Sequence, residues 1–141
     1  DPQSRIYGEA NPNLTYTVGG RGLVNGDSLT GELATTASAL SGVGAYAITR
    51  GTLAASPNYA LTFRNGVLSV TPRPIIVTAD DLFKQQGTVN PVLNYTVGGM
   101  GLVNGDVLTG ALATTATTVS PVGTYAITRG TLAATRNYTL Q

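Results

Sequence analysis

The sequence holds no cysteine and no histidine. The first absence excludes a disulfide framework and suits a secreted protein that avoids thiol mispairing. Together they exclude zinc sites built on thiolate or imidazole, a Ser-His-Asp triad and a Cys-His pair. Charge is scarce as well. Only 11% of the residues are charged, against roughly 25% in a typical globular domain. Eight Lys+Arg against seven Asp+Glu leave a formal charge of +1, too little to hold a polyanion by counterion release, so nucleic acid is not an expected partner. Seven arginines and one lysine, Lys84, are scattered without a basic block. No run of about 18 apolar residues occurs, and no membrane insertion is expected. No basic start followed by an apolar stretch marks a signal peptide. The opening, DPQSR, reads as internal to a longer protein.

What remains is rich in Gly, Thr, Ala, Val and Leu and poor in Glu, Lys, Gln and Met. That is the composition of a β-rich module rather than of a helical bundle or a disordered tail. A chain of 141 residues allows one ordinary domain or two small ones.

An internal repeat decides between them. TVGGRGLVNGD, Thr17 to Asp27, returns as TVGGMGLVNGD, Thr96 to Asp106, at an offset of 79 residues. Aligned without gaps at that offset, Gly8–Thr62 and Gly87–Gln141 share 39 of 55 positions. Self-similarity at a fixed period predicts two tandem homologous domains, 1–72 and 73–141. TPRPI, Thr71 to Ile75, lies between them. Its two prolines favour a stiff, extended connection and hence an elongated arrangement.

Within each copy the pattern is that of strands. Leu14–Val18 and Leu93–Val97 alternate at period two, as do Tyr46–Leu53 and Tyr125–Leu132. Asn58–Phe63, Gly66–Val70 and Pro74–Ala79 are further candidates. Identical apolar spacing predicts identical cores, with Leu14, Tyr16, Leu23, Tyr46, Ile48 and Leu61 buried like their counterparts. The repeated stretch itself reads as a folding instruction. Gly19 and Gly20 turn the backbone, and Asn25, Gly26 and Asp27 turn it again into the next strand. Gly98, Gly99, Asn104, Gly105 and Asp106 repeat the device.

Taken together, YGEANPNLTYTV, GLVNGDSLTGELATTA, VGAYAITRGTLAASPNYALTFRNGVLSVTP and RPIIVTADD resemble the MBG module, the "mostly β-grasp" repeat of bacterial extracellular proteins. The resemblance covers essentially the whole chain. It implies an all-β fold of β-grasp-like units whose helix is reduced or absent. It also implies a secreted or cell-surface setting within large adhesins, many of the filamentous-haemagglutinin type, whose repeats stand in arrays. Two departures stand out. The family's Tyr-Gly is Tyr7-Gly8 in the first copy but Gln86-Gly87 in the second. The first strand, PIIVTAD in the second copy, has no counterpart ahead of Asp1.

Candidate sites are few. Asp27 and Asp106 read as turn caps, because one Asp and one Asn per copy fall short of a calcium shell. Asp80 and Asp81, beside the linker, are the better cation candidates, weighed against a solvated strand end. Tyr16, Tyr46 and Tyr59 recur as Tyr95, Tyr125 and Tyr138; tyrosines can stack on sugars, but in alternating strands core packing with a wet hydroxyl is the expected fate. Arg50 and Arg129 read as cross-strand partners of a carboxylate or as exposed. A Lys–Asn cross-link common to both copies is excluded, because Lys84 corresponds to Arg5. GGRGLVNGD is neither a dinucleotide fingerprint nor a phosphate loop, and no cofactor is expected.

The functional expectation is a non-enzymatic structural or adhesive module, a stalk or spacer in cell adhesion, each copy touching its neighbouring repeats. The alternative is that the repeats themselves bind a host glycan or protein. Catalysis is not expected, because the carboxylates do not recur in pairs and no histidine or cysteine is present. In the β-grasp plan the first and last strands lie side by side at the centre of the sheet. On that plan copy one lacks its first strand and copy two, which stops before any copy of FRNGVLSV, lacks its last. Either the missing strands belong to the parent protein outside this stretch, or a neighbouring chain supplies them by strand addition or exchange.

Overall fold

None of the 141 residues is helical in the structure, a computed structural model that describes the whole chain. Gly and Pro interrupt the sequence too often for a helix to overcome its costly nucleus. Nine short strands form instead, and the chain divides into two compact units, Asp1–Pro72 and Arg73–Gln141.

Unit 1 holds β1 (Gln3–Ile6), β2 (Ala34–Thr35), β3 (Gly44–Thr49) and β4 (Gly66–Thr71), joined in the order β1-β4-β3-β2. The centre is β4, whose run Val67–Thr71 suits a pleated, half-buried surface. It pairs parallel with β1, Gln3 opposite Leu68, and antiparallel with β3, Tyr46 opposite Leu68. Alternation then points Leu68 and Val70 inward, where both are buried. Leu68, Ile48 and Ala37 form the core, with Leu14, Leu33 and Tyr46 packed against it. Full burial of Ile48 or Leu68 contributes about 1.5–3 kcal/mol each.

Unit 2 holds β5 (Arg73–Ala79), β6 (Tyr95–Gly99), β7 (Ala113–Thr114), β8 (Ile127–Thr128) and β9 (Tyr138–Leu140). Here the central strand is β5, antiparallel to β6 with Val77 opposite Val97, and parallel to β9 with Ile75 opposite Leu140. Ile75 is fully buried. A separate pair, β7 and β8, sets Ala113 opposite Thr128, the register that Ala34 and Thr49 hold in unit 1. Isolated bridges Thr30–Ala54 and Thr109–Ala133 also recur at the same offset.

Several expectations are corrected. Neither unit holds both a first and a last strand of the expected plan: in unit 1 β4 lies between β1 and β3, and in unit 2 β5 lies between β6 and β9. Leu14–Val18 and Asn58–Phe63 form no strand in unit 1, although their counterparts contribute β6 and β9 in unit 2. Of Tyr125–Leu132 only Ile127–Thr128 is strand, whereas its counterpart contributes β3. The reason is one of partners. Unit 1 has no strand of the β5 kind, so the counterparts of β6 and β9 have nothing to pair with. Unit 2 has no strand of the β4 kind, so the counterparts of β1 and β3 stand apart.

Burial follows pairing, so the cores are not identical. Ile48 is buried while Ile127 is half-exposed, and Tyr138 is buried while Tyr59 is half-exposed. Tyr16 and Tyr95 are not core residues at all, being 41% and 37% exposed.

Candidate functional site: a clamped turn and two open grooves

The repeated stretch folds as a tight turn over Val24–Asp27. The Asp27 amide donates to the Val24 carbonyl at 2.9 Å, and Asn25 and Gly26 sit at φ 56° and 76°. Two central residues at positive φ are the mark of a type I′ turn, which Asn-Gly favours. In unit 2 Asp106 donates to Val103 at 3.0 Å, with Asn104 and Gly105 at 57° and 76°. Gly20 and Gly99 also lie at positive φ, while Gly19 and Gly98 do not.

A tyrosine clamps each turn from across the unit. The Tyr59 hydroxyl donates to Asp27 Oδ2 at 2.6 Å and accepts from the Val24 amide at 3.1 Å. The Tyr138 hydroxyl does the same to Asp106 at 2.7 Å and Val103 at 3.0 Å. The Asp27 carboxylate, as hydrogen-bond acceptor, holds the Tyr59 phenol above its ordinary value of 10.0. The aspartate thus serves the turn through its backbone and the clamp through its side chain.

Other recurring polar residues are likewise absorbed by the backbone. Arg50 meets no cross-strand carboxylate: its Nε donates to the Leu53 carbonyl at 2.6 Å and pins its own turn, as Arg129 does to Leu132 at 2.7 Å. Tyr46 and Tyr125 donate to the Gly42 and Pro121 carbonyls at 2.9 and 2.8 Å. Arg5 is buried, with Nε donating to Asn11 Oδ1 at 2.9 Å and Nη2 to the Ser38 carbonyl. In unit 2 Lys84 reaches the equivalent Thr117 carbonyl at 2.8 Å. Asn11 and Asn90 donate to the Ala37 and Ala116 carbonyls at 2.6 and 2.7 Å. This pin joins positions far apart in the sequence, and only its parallel with Lys84 marked Arg5 beforehand.

At Asp80 the amide donates to the Asn94 carbonyl at 3.0 Å, while the Asp81 side chain is exposed. Nowhere does the chain gather three or more acidic residues around one point.

Each unit carries an open groove. That of unit 1, about 1010 Å³, runs between Tyr16–Gly20 and Tyr59–Leu61. That of unit 2, about 560 Å³, runs between Leu82–Lys84 and Gly123–Ile127. Their walls mix apolar side chains with charged ones, Asp1 and Arg64 in the first and Asp81 and Lys84 in the second. Phe83 and Val122 at the second groove are 94% and 89% exposed.

A family model described as "MBG domain (YGX type)" matches residues 1–69 and again 75–141. No curated protein and no solved structure matches the chain.

Proposed function

The chain belongs to the MBG domain family, YGX type, and from that premise we propose that it is a non-enzymatic spacer in a large bacterial surface or secreted protein, part of a stalk that presents an adhesive region away from the cell. The observation that carries this reading is where the two copies agree. Turn, tyrosine clamp, arginine pin and hairpin bridges recur bond for bond. Among the positions that differ, Arg21/Met100, Glu32/Ala111 and Pro57/Arg136 are exposed in both copies, whereas Arg5/Lys84 and Tyr7/Gln86 differ at places buried in unit 1. A unit that keeps these scaffold bonds and varies mostly at its surface is suited to repetition in series, where each repeat supports its neighbour.

The test places two, four and eight copies between a membrane anchor and a fused adhesive tip on a cell surface. The reading expects the reach of the tip to grow with copy number and arrays lacking the tip not to adhere. Adherence of tipless arrays, or saturable binding of this chain on a glycan array, would transfer the adhesive role to the repeats themselves.

A further inference from the structure

Asn-Gly occurs three times, at Asn25-Gly26, Asn65-Gly66 and Asn104-Gly105. Such a pair can modify itself, because a glycine with no side chain leaves its amide nitrogen unhindered beside the asparagine carboxamide. We infer that Asn65 is the chain's site of spontaneous deamidation, and that the two clamped turns hold the other pairs unreactive. The inference rests on backbone geometry and stands whether or not the module serves as a spacer.

The step consumes only water. The Gly66 nitrogen bonds to Asn65 Cγ, the bond from Cγ to the side-chain nitrogen breaks, and ammonia leaves carrying the proton that Gly66 gave up. The five-membered imide so formed takes up one water. Opening at one carbonyl gives aspartate, and opening at the other gives isoaspartate, whose main chain is one carbon longer. Ring closure requires the following nitrogen to lie on the same side as the asparagine's own Cβ. Left-handed backbone turns it to the opposite side.

Asn25 and Asn104 are the two non-glycine residues of the chain that sit in that region, at φ 56° and 57°. Both are then locked there. The Asp27 amide closes the first turn onto the Val24 carbonyl at 2.9 Å, and the Tyr59 hydroxyl ties the Val24 amide to the Asp27 carboxylate at 3.1 and 2.6 Å. Asp106, Val103 and Tyr138 repeat the lock at 3.0, 3.0 and 2.7 Å. The conformation that the turn needs is thus one from which its asparagine cannot cyclise. Neither pair reacts until turn and clamp open together.

Asn65 is under no such restraint. It is exposed, lies outside the left-handed region and is the last irregular residue before β4. Gly66 forms the terminal rung of the β3–β4 ladder, opposite Ile48. A terminal rung frays at small cost in free energy, and one such opening frees the Gly66 amide. The product falls where unit 1 is sensitive. β4 is its central strand and carries Leu68 and Val70 into the core. An extra main-chain carbon immediately ahead of Gly66 opposes the register that sets Gly66 against Ile48 and Leu68 against Tyr46.

The test incubates the folded 141-residue chain in mildly alkaline buffer and follows each Asn-Gly peptide by mass spectrometry, with isoaspartate separated from aspartate by chromatography. The same chain unfolded in urea supplies the intrinsic rate of each pair. Opening a turn breaks its own bond and both bonds of its clamp. Relative to the unfolded rates, Asn25 and Asn104 should therefore react about tenfold more slowly than Asn65, or slower still. Tyr59→Phe should speed Asn25 about fivefold or more and leave Asn104, in the other unit, at its parent rate. Tyr138→Phe should do the reverse. The isoaspartate fraction should lose amide-exchange protection in β4 and keep it in β5, and Asn65→Gln should abolish that fraction. The inference is overturned if Asn25 or Asn104 deamidates as fast as Asn65 in the folded chain, or if Asn65 stays intact there while it reacts in urea. Unchanged rates in both tyrosine variants would overturn the guarding role of the clamp, and full β4 protection in the isoaspartate fraction would overturn the effect on register.

Discussion

Replacing Gly31 by alanine should cost unit 1 far more than the same change at Gly26, although both glycines sit at positive φ, 84° and 76°. Placing a Cβ in left-handed backbone costs about 1–2 kcal/mol at either site. At Gly26 that is the whole expected effect, because a Cβ there meets nothing within 4 Å. At Gly31 it would lie 2.2 Å from the Thr52 carbonyl oxygen and 2.6 Å from its carbon. Both obstacles are backbone, so two chain segments must separate. Three hydrogen bonds join them there: Thr30 to Ala54 at 2.9 Å, Ala54 to Thr30 at 2.8 Å and Thr52 to Glu32 at 2.9 Å. Each is worth about 0.5–1.5 kcal/mol net. Losing two or three on top of the backbone strain gives about 2–6 kcal/mol in all. A unit of this size has roughly 4–10 kcal/mol of total stability, so the change should bring it close to unfolding. Urea unfolding followed by circular dichroism measures both variants against the parent. Gly110→Ala, whose Cβ meets Thr131 at the same 2.2 Å, should reproduce the loss in unit 2. A midpoint shift for Gly31→Ala no larger than that for Gly26→Ala would refute the reasoning.

Other perturbations separate the copies. Ile48→Ala removes a fully buried side chain and should cost about 2–5 kcal/mol. Ile127→Ala, at a half-exposed position, should cost about 1 kcal/mol; equal losses by urea unfolding would contradict the unequal cores. The Tyr59 phenol titrates above its ordinary 10.0 in the folded chain because it donates to Asp27. The stabilisation from that bond is therefore fully present below the ordinary value and lost as pH rises through the higher folded one. Phenolate absorbance against pH should show a late-titrating tyrosine that disappears in Tyr59→Phe, and an unchanged curve would remove the clamp.

The repeat, the longest strands and the family were legible in the residues. Val67–Thr71 and Ile75–Ala79 are short runs rich in β-branched side chains, and both lie in strands. The difference between the copies was not legible, because Tyr16–Gly20 and Tyr95–Gly99 are the same five residues. Only the second is a strand, since β5 lies beside it and no such strand lies beside the first. Strand formation depends on a partner distant in sequence, so no local reading separates the two. The arginine pin was missed for a related reason. Arg50 bends back to Leu53 because Gly51 at φ 54° closes a turn between them, and charge patterning points outward to carboxylates instead. The close approach at Gly31 depends on Thr52, brought near by the Thr30–Ala54 bridge, which nothing in the local sequence announces.

Residue-resolved amide hydrogen exchange on the intact chain tests most directly the claim that two nearly identical sequences are paired in complementary ways. The Met100 amide donates to the Pro74 carbonyl at 3.2 Å and the Tyr7 amide to the Thr71 carbonyl at 2.9 Å. Their counterparts, Arg21 and Gln86, line the two open grooves and carry no such bond. Met100 should exchange more slowly than Arg21, and Tyr7 more slowly than Gln86, so that protection favours unit 2 in the first pair and unit 1 in the second. Equal protection within both pairs would contradict the account.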